Sequence, residues 1–180
     1  SSLLNLQKES IEDEELKEMF NSSIMRVNTM AYIHEMIYGN RDLTSINVQK
    51  YFSKLLRSLA QFYGSEDQDI EMKLDINVGN LFFFPDTIIP LGLILNEIAC
   101  NSFKYAFDEG GKFYMSLTES EGNCKLTVGD NGKGMSKEQS TDESLGLSLI
   151  EVLCEQIDAQ MAVNNSSDGL EYQFEFKYQP

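Results

Sequence analysis

Residues 86 to 107, Asp-Thr-Ile-Ile-Pro-Leu-Gly-Leu-Ile-Leu-Asn-Glu-Ile-Ala-Cys-Asn-Ser-Phe-Lys-Tyr-Ala-Phe, make a long apolar run whose interior is broken by Asn96, Glu97, Asn101 and Lys104. The run reads as one helix. Asp86 or Thr87 is positioned to cap it, Pro90 is tolerable in an opening turn whose amides lack partners, and Asp108 with Gly110 and Gly111 stops it. At 100° per residue Glu97, Asn101 and Lys104 fall on one face with Asn96 beside them, so a polar stripe runs along a helix whose other faces want a core. Asparagine is a poor helix former, and two of them in mid-helix bring no packing gain. An ordinary amphipathic helix with a solvated polar face accounts for the stripe. So does a helix lining a pocket for an oxygen-rich ligand with a metal ion. In that case Asn96 and Asn101 offer neutral hard ligands for Mg²⁺, Lys104 a point charge for phosphate, and Glu97 a carboxylate at the reacting end.

The chain has 180 residues, 42% of them hydrophobic, which is enough for one good core or a smaller one with a helical appendage. Lys+Arg 14 against Asp+Glu 29 leaves a net charge of −15 with no basic cluster, so nucleic acid is excluded as a partner. Cys100, Cys124 and Cys154 are widely spaced, and only one histidine accompanies them. They read as small buried hydrophobes in a reducing compartment, not as a zinc site. No run is long enough to span a bilayer and the N-terminus has no signal pattern, so no membrane contact is expected and the segment reads as cytoplasmic. The chain opens without Met in what reads as mid-helix, as an excised fragment would.

Residues 1–10 look like the tail of a helix. Residues 12 to 38 give a long one, with Glu12 to Glu15 at the positive end of its dipole. Leu16, Met19, Phe20, Ile24, Val27, Met30, Ala31, His34 and Ile37 recur at three- and four-residue spacing as one apolar stripe. Together the two segments make a helical hairpin that would pair with a second copy as a four-helix bundle, with His34 a buried or interfacial residue on the seam. After a connector from Gly39 to Ser45, Asn47 to Tyr63 is another helix. A half-buried strand follows, alternating Ile70, Met72, Leu74 and Ile76 with polar residues. Beyond the apolar helix come strands at 112–119 and 124–128, a helix at 145–157, and strands at 160–163 and 170–178. This order predicts an α+β sandwich with helices on one sheet face.

Two loops carry further chemistry. Asp130-Asn131-Gly132-Lys133-Gly134-Met135 directly follows a strand, and by itself is also a plausible tight turn. Ser144-Leu145-Gly146-Leu147-Ser148 puts a glycine at a helix opening, where free amides and the dipole favour an anion. In this fixed order the segments resemble the C-terminal part of a two-component sensor histidine kinase, with an ATPase domain of the family shared with gyrase, Hsp90 and MutL. Asn96 to Phe107 resembles that family's N box, Asp130 to Gly134 its first glycine box and Ser144 to Leu147 its second. Residues 1–7, Arg26-Val27, Ala31 to Glu35 and Tyr38 resemble the dimerisation hairpin of a divergent subclass related to the HWE kinases.

The resemblance implies a division into a truncated dimerisation hairpin (1–40) and an ATP-binding catalytic domain (41–180) of Bergerat type, an α+β fold built as a two-layer α/β sandwich with a mixed, largely antiparallel sheet covered by helices. It implies ATP and Mg²⁺ as cofactors, with Asn101 coordinating Mg²⁺, Asn96 and Lys104 on the phosphates, and Tyr105 bordering the nucleotide. Asp130 would accept a hydrogen bond from the adenine amino group, which also discriminates against guanine and its carbonyl. Gly132, Gly134 and Met135 would lie along the base, and Gly146, Leu147 and Ser148 at the phosphates. Glu97 would serve as general base or position the acceptor, with Lys104 neutralising charge. The implied partners are ATP or ADP, a response-regulator receiver domain and a second copy of the chain. Three departures stand out. The phosphoacceptor histidine would lie before Ser1, so this chain is not expected to autophosphorylate. The segment from Met135 to Glu143 is short and would act as a small mobile lid. Gly169-Leu170 replaces a common Gly-Thr, removing a hydroxyl near the pocket. A docking module with an empty pocket, or another ATPase of this fold such as an anti-sigma kinase, are the alternatives.

Overall fold

The computed structural model describes residues 13, 16, 17, 20, 23, 24, 27, 30, 31, 34, 35, 46–63, 69–78, 81–135 and 145–178. Expectations for residues 1–10, for the connector at 39–45, for Met19 and Ile37 on the stripe, and for 136–144 lie outside the described residues. The chain divides into two compact units, Ser1–Arg41 and Asp42–Pro180.

In the first unit the described residues from Leu16 to Glu35 are helical. Asp13 caps them, its Oδ1 accepting from the Leu16 amide at 3.2 Å while its carbonyl accepts from Lys17 N at 2.9 Å. Ile24 is buried, whereas Leu16, Val27 and Met30 are among the exposed large hydrophobics. His34 is also exposed.

The second unit contains β1 (Ile46–Asn47), α1 (Val48–Tyr63), β2 (Asp69–Asn77), β3 (Phe82–Phe83), α2 (Pro85–Asn101), a π-helical turn (Ser102–Ala106), β4 (Gly110–Ser120), β5 (Asn123–Asp130), α3 (Leu145–Gln156), β6 (Gln160–Ser166) and β7 (Gly169–Lys177). The five-stranded sheet has the order β2-β4-β5-β7-β6. Only β2 and β4 run parallel, and every other neighbouring pair is antiparallel. The architecture is therefore α+β with a mixed, mostly antiparallel sheet.

Period-two alternation builds one apolar face on this sheet. Leu74, Met115, Val128, Tyr172 and Val163 stand in one cross-strand row; Ile76, Leu117, Leu126, Phe174 and Met161 stand in the next. The helices cover that face, with α2 packed against α1, α3 and β5. Every residue of α2 from Pro90 to Cys100 is buried, as expected of a helix that is apolar nearly all round. Cys100, Cys124 and Cys154 are buried in this core as thiols outside any disulfide, and burial ahead of a neighbouring acidic charge pushes the Cys124 and Cys154 thiols up to about 11.

The helix ends depart from expectation in three ways. Neither Asp86 nor Thr87 caps α2: Phe84 is the N-cap with no side-chain bond, Pro85 opens the helix, and the Phe84 carbonyl accepts from the amides of Thr87 and Ile88. A proline with φ already set is sufficient for the start. Pro90 therefore lies beyond the opening turn, inside the helix. The helix also changes pitch after Asn101, continuing to Ala106 as a π turn. Asn47, expected as the first residue of the next helix, instead caps α1, its Oδ1 accepting from Lys50 N at 2.9 Å. The β1 and β3 pair, with Ile46 opposite Phe83, was not foreseen.

Candidate active site

Asp130 ends β5, the central strand of the sheet, and is only 3% exposed. Its carboxylate is held from both sides. Oδ2 accepts the Ser102 hydroxyl at 2.6 Å, and Oδ1 accepts the Gly132 amide at 3.0 Å. Ser102 is itself 3% exposed and opens the π turn at the end of α2. The predicted N box and first glycine box thus meet through a short charge-assisted hydrogen bond, a class about twice as strong as a neutral one. The carboxylate's field reaches the neighbouring strands. Burial first, and then the Asp130 charge, push the Tyr172 phenol up to about 12. Tyr114 is pushed up to about 12 by burial, by its hydrogen bond to Glu171 and that group's charge, and then by Asp130.

The loop after Asp130 is fixed by its neighbours. Asn131 extends the β4 pairing, its amide donating to the Lys112 carbonyl at 3.1 Å and its Oδ1 accepting from Lys112 N at 2.6 Å. Lys133 N donates to the Ala106 carbonyl at 3.1 Å. Gly132 sits so close to Ala106 that a Cβ would collide with its backbone. Gly134 has φ +68 and lies against the Ser166 carbonyl, where a side chain would be both strained and blocked. Met135 exchanges backbone hydrogen bonds with the Asn165 side chain. The Lys133 Nζ to Asp108 ion pair, 2.8 Å, is largely solvated, and contributes about 0–1 kcal/mol.

The predicted N-box residues separate by depth. Asn96 and Glu97 are 1% and 3% exposed, and Asn96 Nδ2 donates to Glu97 Oε1 at 3.4 Å. The solvated polar face is thereby ruled out for this pair. Asn101 is half-buried at the junction with the π turn, and Lys104 and Tyr105 are exposed just beyond it. Gly146 is buried in the first turn of α3, which packs on α2, while Leu147 is half-buried and Ser148 exposed. The arrangement offers a buried acceptor at one end and a cation and an amide at the helix end. This donor set fits a nucleotide with an amino-bearing base, and Asn101 fits a Mg²⁺ ion that keeps phosphate and water among its ligands.

Ser102 and Asn165 were missed by sequence reasoning. Ser102 lay beside Asn101 in a helix where a buried hydroxyl needs a partner, a usable signal. Asn165 lay beyond the strand expected at 160–163, which the structure extends to Ser166.

Residues 86–180 match the family described as histidine kinase-, DNA gyrase B-, and HSP90-like ATPase, and residues 1–63 match a second described as histidine kinase. The chain is 24% identical over 177 residues to the sensor histidine kinase PdtaS of Mycolicibacterium smegmatis, an alignment that covers 94% of this chain and 34% of that protein. It therefore spans about a third of the length of this curated relative. Among solved structures, the histidine kinase domain of the Erythrobacter litoralis EL346 blue-light activated histidine kinase superposes with a TM-score of 0.71 at 16% identity, covering 98% of this chain and 82% of that one. Full-length ShkA in complex with AMPPNP superposes with a TM-score of 0.56 at 20% identity, covering 92% of this chain and 38% of that one. These likenesses identify the fold.

Proposed function

The chain belongs to the histidine kinase-, DNA gyrase B- and HSP90-like ATPases, with the two matched segments of a two-component sensor histidine kinase, and from that membership we propose that it binds Mg-ATP and catalyses phosphoryl transfer to a histidine. The acceptor histidine lies on the dimerisation helix, and an aspartate of a response-regulator receiver domain takes the phosphoryl group onward. The observation that carries the reading is Asp130, a nearly inaccessible carboxylate clamped by Ser102 and Gly132 where the end of α2 meets the glycine loop.

In this reading Asp130 accepts from the 6-amino group of adenine, with Met135 and Tyr105 bordering the base. Lys104, Asn96 and the amides at Gly146, Leu147 and Ser148 hold the phosphates, and Asn101 holds Mg²⁺. The bound Mg²⁺ supplies charge neutralisation at the phosphates. Catalysis by the chain's own residues is mostly positioning, with Lys104 countering developing charge and Glu97 orienting the acceptor or taking its proton. Residues 1–40 act as the dimerisation hairpin, where the exposed Leu16, Val27 and Met30 side chains would be covered by a second copy. Buried thiols at Cys100, Cys124 and Cys154, none of them in a disulfide, agree with a cytoplasmic setting. No helix among the described residues is long and apolar enough to cross a membrane.

Calorimetric titration with ADP and AMPPNP, with and without Mg²⁺, tests the reading. Binding should depend on Mg²⁺ and weaken at least tenfold in Asp130→Asn, which turns an acceptor oxygen into a donor. No binding at millimolar nucleotide would overturn it in favour of a docking module.

A further inference from the structure

Ser102 stands at an unusual place in the backbone. It is the residue at which α2 widens into the π turn; its amide is shared between the carbonyls of Ile98 and Ala99, and its side chain is buried. Single π turns inside helices recur at functional sites. A buried hydroxyl is costly unless bonded, and this one donates at 2.6 Å to a carboxylate on a different element, 28 residues away in the chain. The opposite oxygen of the same carboxylate takes the Gly132 amide. A carboxylate has about four lone-pair sites. One donor on each oxygen fixes the plane of the group and leaves the remaining lone pairs pointing in set directions. One donor alone would leave the group free to turn about its Cβ–Cγ bond.

We infer that Ser102 is a positioning residue for base recognition: its hydroxyl orients Asp130 so that the carboxylate selects a purine carrying a 6-amino group over one carrying a 6-oxo group. The assignment rests on Asp130 being the adenine acceptor. The chemistry follows from angle dependence, because a hydrogen bond weakens steeply once donor and acceptor are misaligned. A 6-oxopurine presents a carbonyl to Asp130 in place of the amino donor, so it has no exocyclic hydrogen bond to lose when the carboxylate is less well aimed. The hydroxyl at 102 also serves the carboxylate in a chain whose residue 170 is Leu, a buried apolar side chain.

The test is calorimetric binding of ADP and IDP, with Mg²⁺, to the whole chain as wild type, Ser102→Ala and Ser102→Cys. Cysteine nearly keeps the volume but is a weak donor. Wild type should prefer ADP by roughly 10- to 100-fold, the scale of one hydrogen bond to a charged group. Both variants should lose about 5- to 10-fold of that preference through weaker ADP binding, with IDP affinity within about twofold of wild type. A role confined to stability would weaken both nucleotides alike, and that result, or an unchanged preference, overturns the assignment. If Ser102→Ala does not give a cooperative unfolding transition, Ser102→Cys decides by the same criterion. Wild type that binds neither nucleotide would instead overturn the nucleotide-site reading, and this assignment with it.

Discussion

Asn165 and Met135, 30 residues apart, exchange two hydrogen bonds: Met135 N donates to Asn165 Oδ1 at 2.8 Å, and Asn165 Nδ2 donates to the Met135 carbonyl at 2.9 Å. A side-chain amide here does the work of a strand partner. It ties the end of β6 to the backbone that leaves the glycine loop.

Replacing Asn165 with Ala should therefore loosen that loop locally. Two net hydrogen bonds of about 0.5–1.5 kcal/mol each, discounted for exposure, predict a loss of about 1 kcal/mol. Hydrogen exchange at the Met135 amide should quicken several-fold while exchange in β5 stays unchanged. Unaltered protection at Met135 would count against the clamp.

Gly169 should tolerate no side chain. Its φ of +132 is nearly closed to other residues, and a Cβ would collide with the Asp130 carbonyl. Strain of this kind costs about 1–3 kcal/mol before the clash is counted, so Gly169→Ala should lower stability by roughly 3 kcal/mol in urea unfolding. A loss under about 1 kcal/mol would mean that the start of β7 can move away from Asp130.

Stability should also fall in alkali. The Tyr114 phenol, ordinarily 10.0, is raised to about 12 in the folded chain, chiefly by burial and then by Glu171. Between these values the unfolded chain gives up the proton first, so the native state holds more protons. The contribution is complete below pH 10 and disappears as pH rises through 12. Tyr172, raised over the same range, adds to the slope. Urea midpoints measured from pH 9 to 12 should decline, and less steeply in Tyr114→Phe. Equal slopes in the two proteins would remove Tyr114 as a cause.

The apolar helix, the alternating strands and the order of the polar motifs were legible because each follows from a local period or a short spacing. Val48 to Tyr63, Asp69 to Asn77 and Leu145 to Gln156 all form where periodicity places them. What escaped depends on partners distant in sequence. β1 and β3 are two residues each, too short for any pattern, and exist because Ile46 and Phe83 pair. The helix start at Pro85 follows a backbone cap from Phe84 in place of a capping side chain. The pitch change after Asn101 has no signature in residues 102–106, and it accompanies a bond from Ser102 to a strand end that sequence spacing does not reveal.

Gly132 is hemmed in by Ala106, and Gly134 by Ser166, so the chain needs both glycines before any ligand arrives. Selection for folding alone would then preserve both glycines in a relative that no longer bound a ligand here, while the exposed Lys104 and Tyr105 would drift. Loss of binding in such lineages should register first at Lys104 and Tyr105 and last in the two glycines. Non-binding relatives that had lost the glycines while keeping Lys104 would contradict this order.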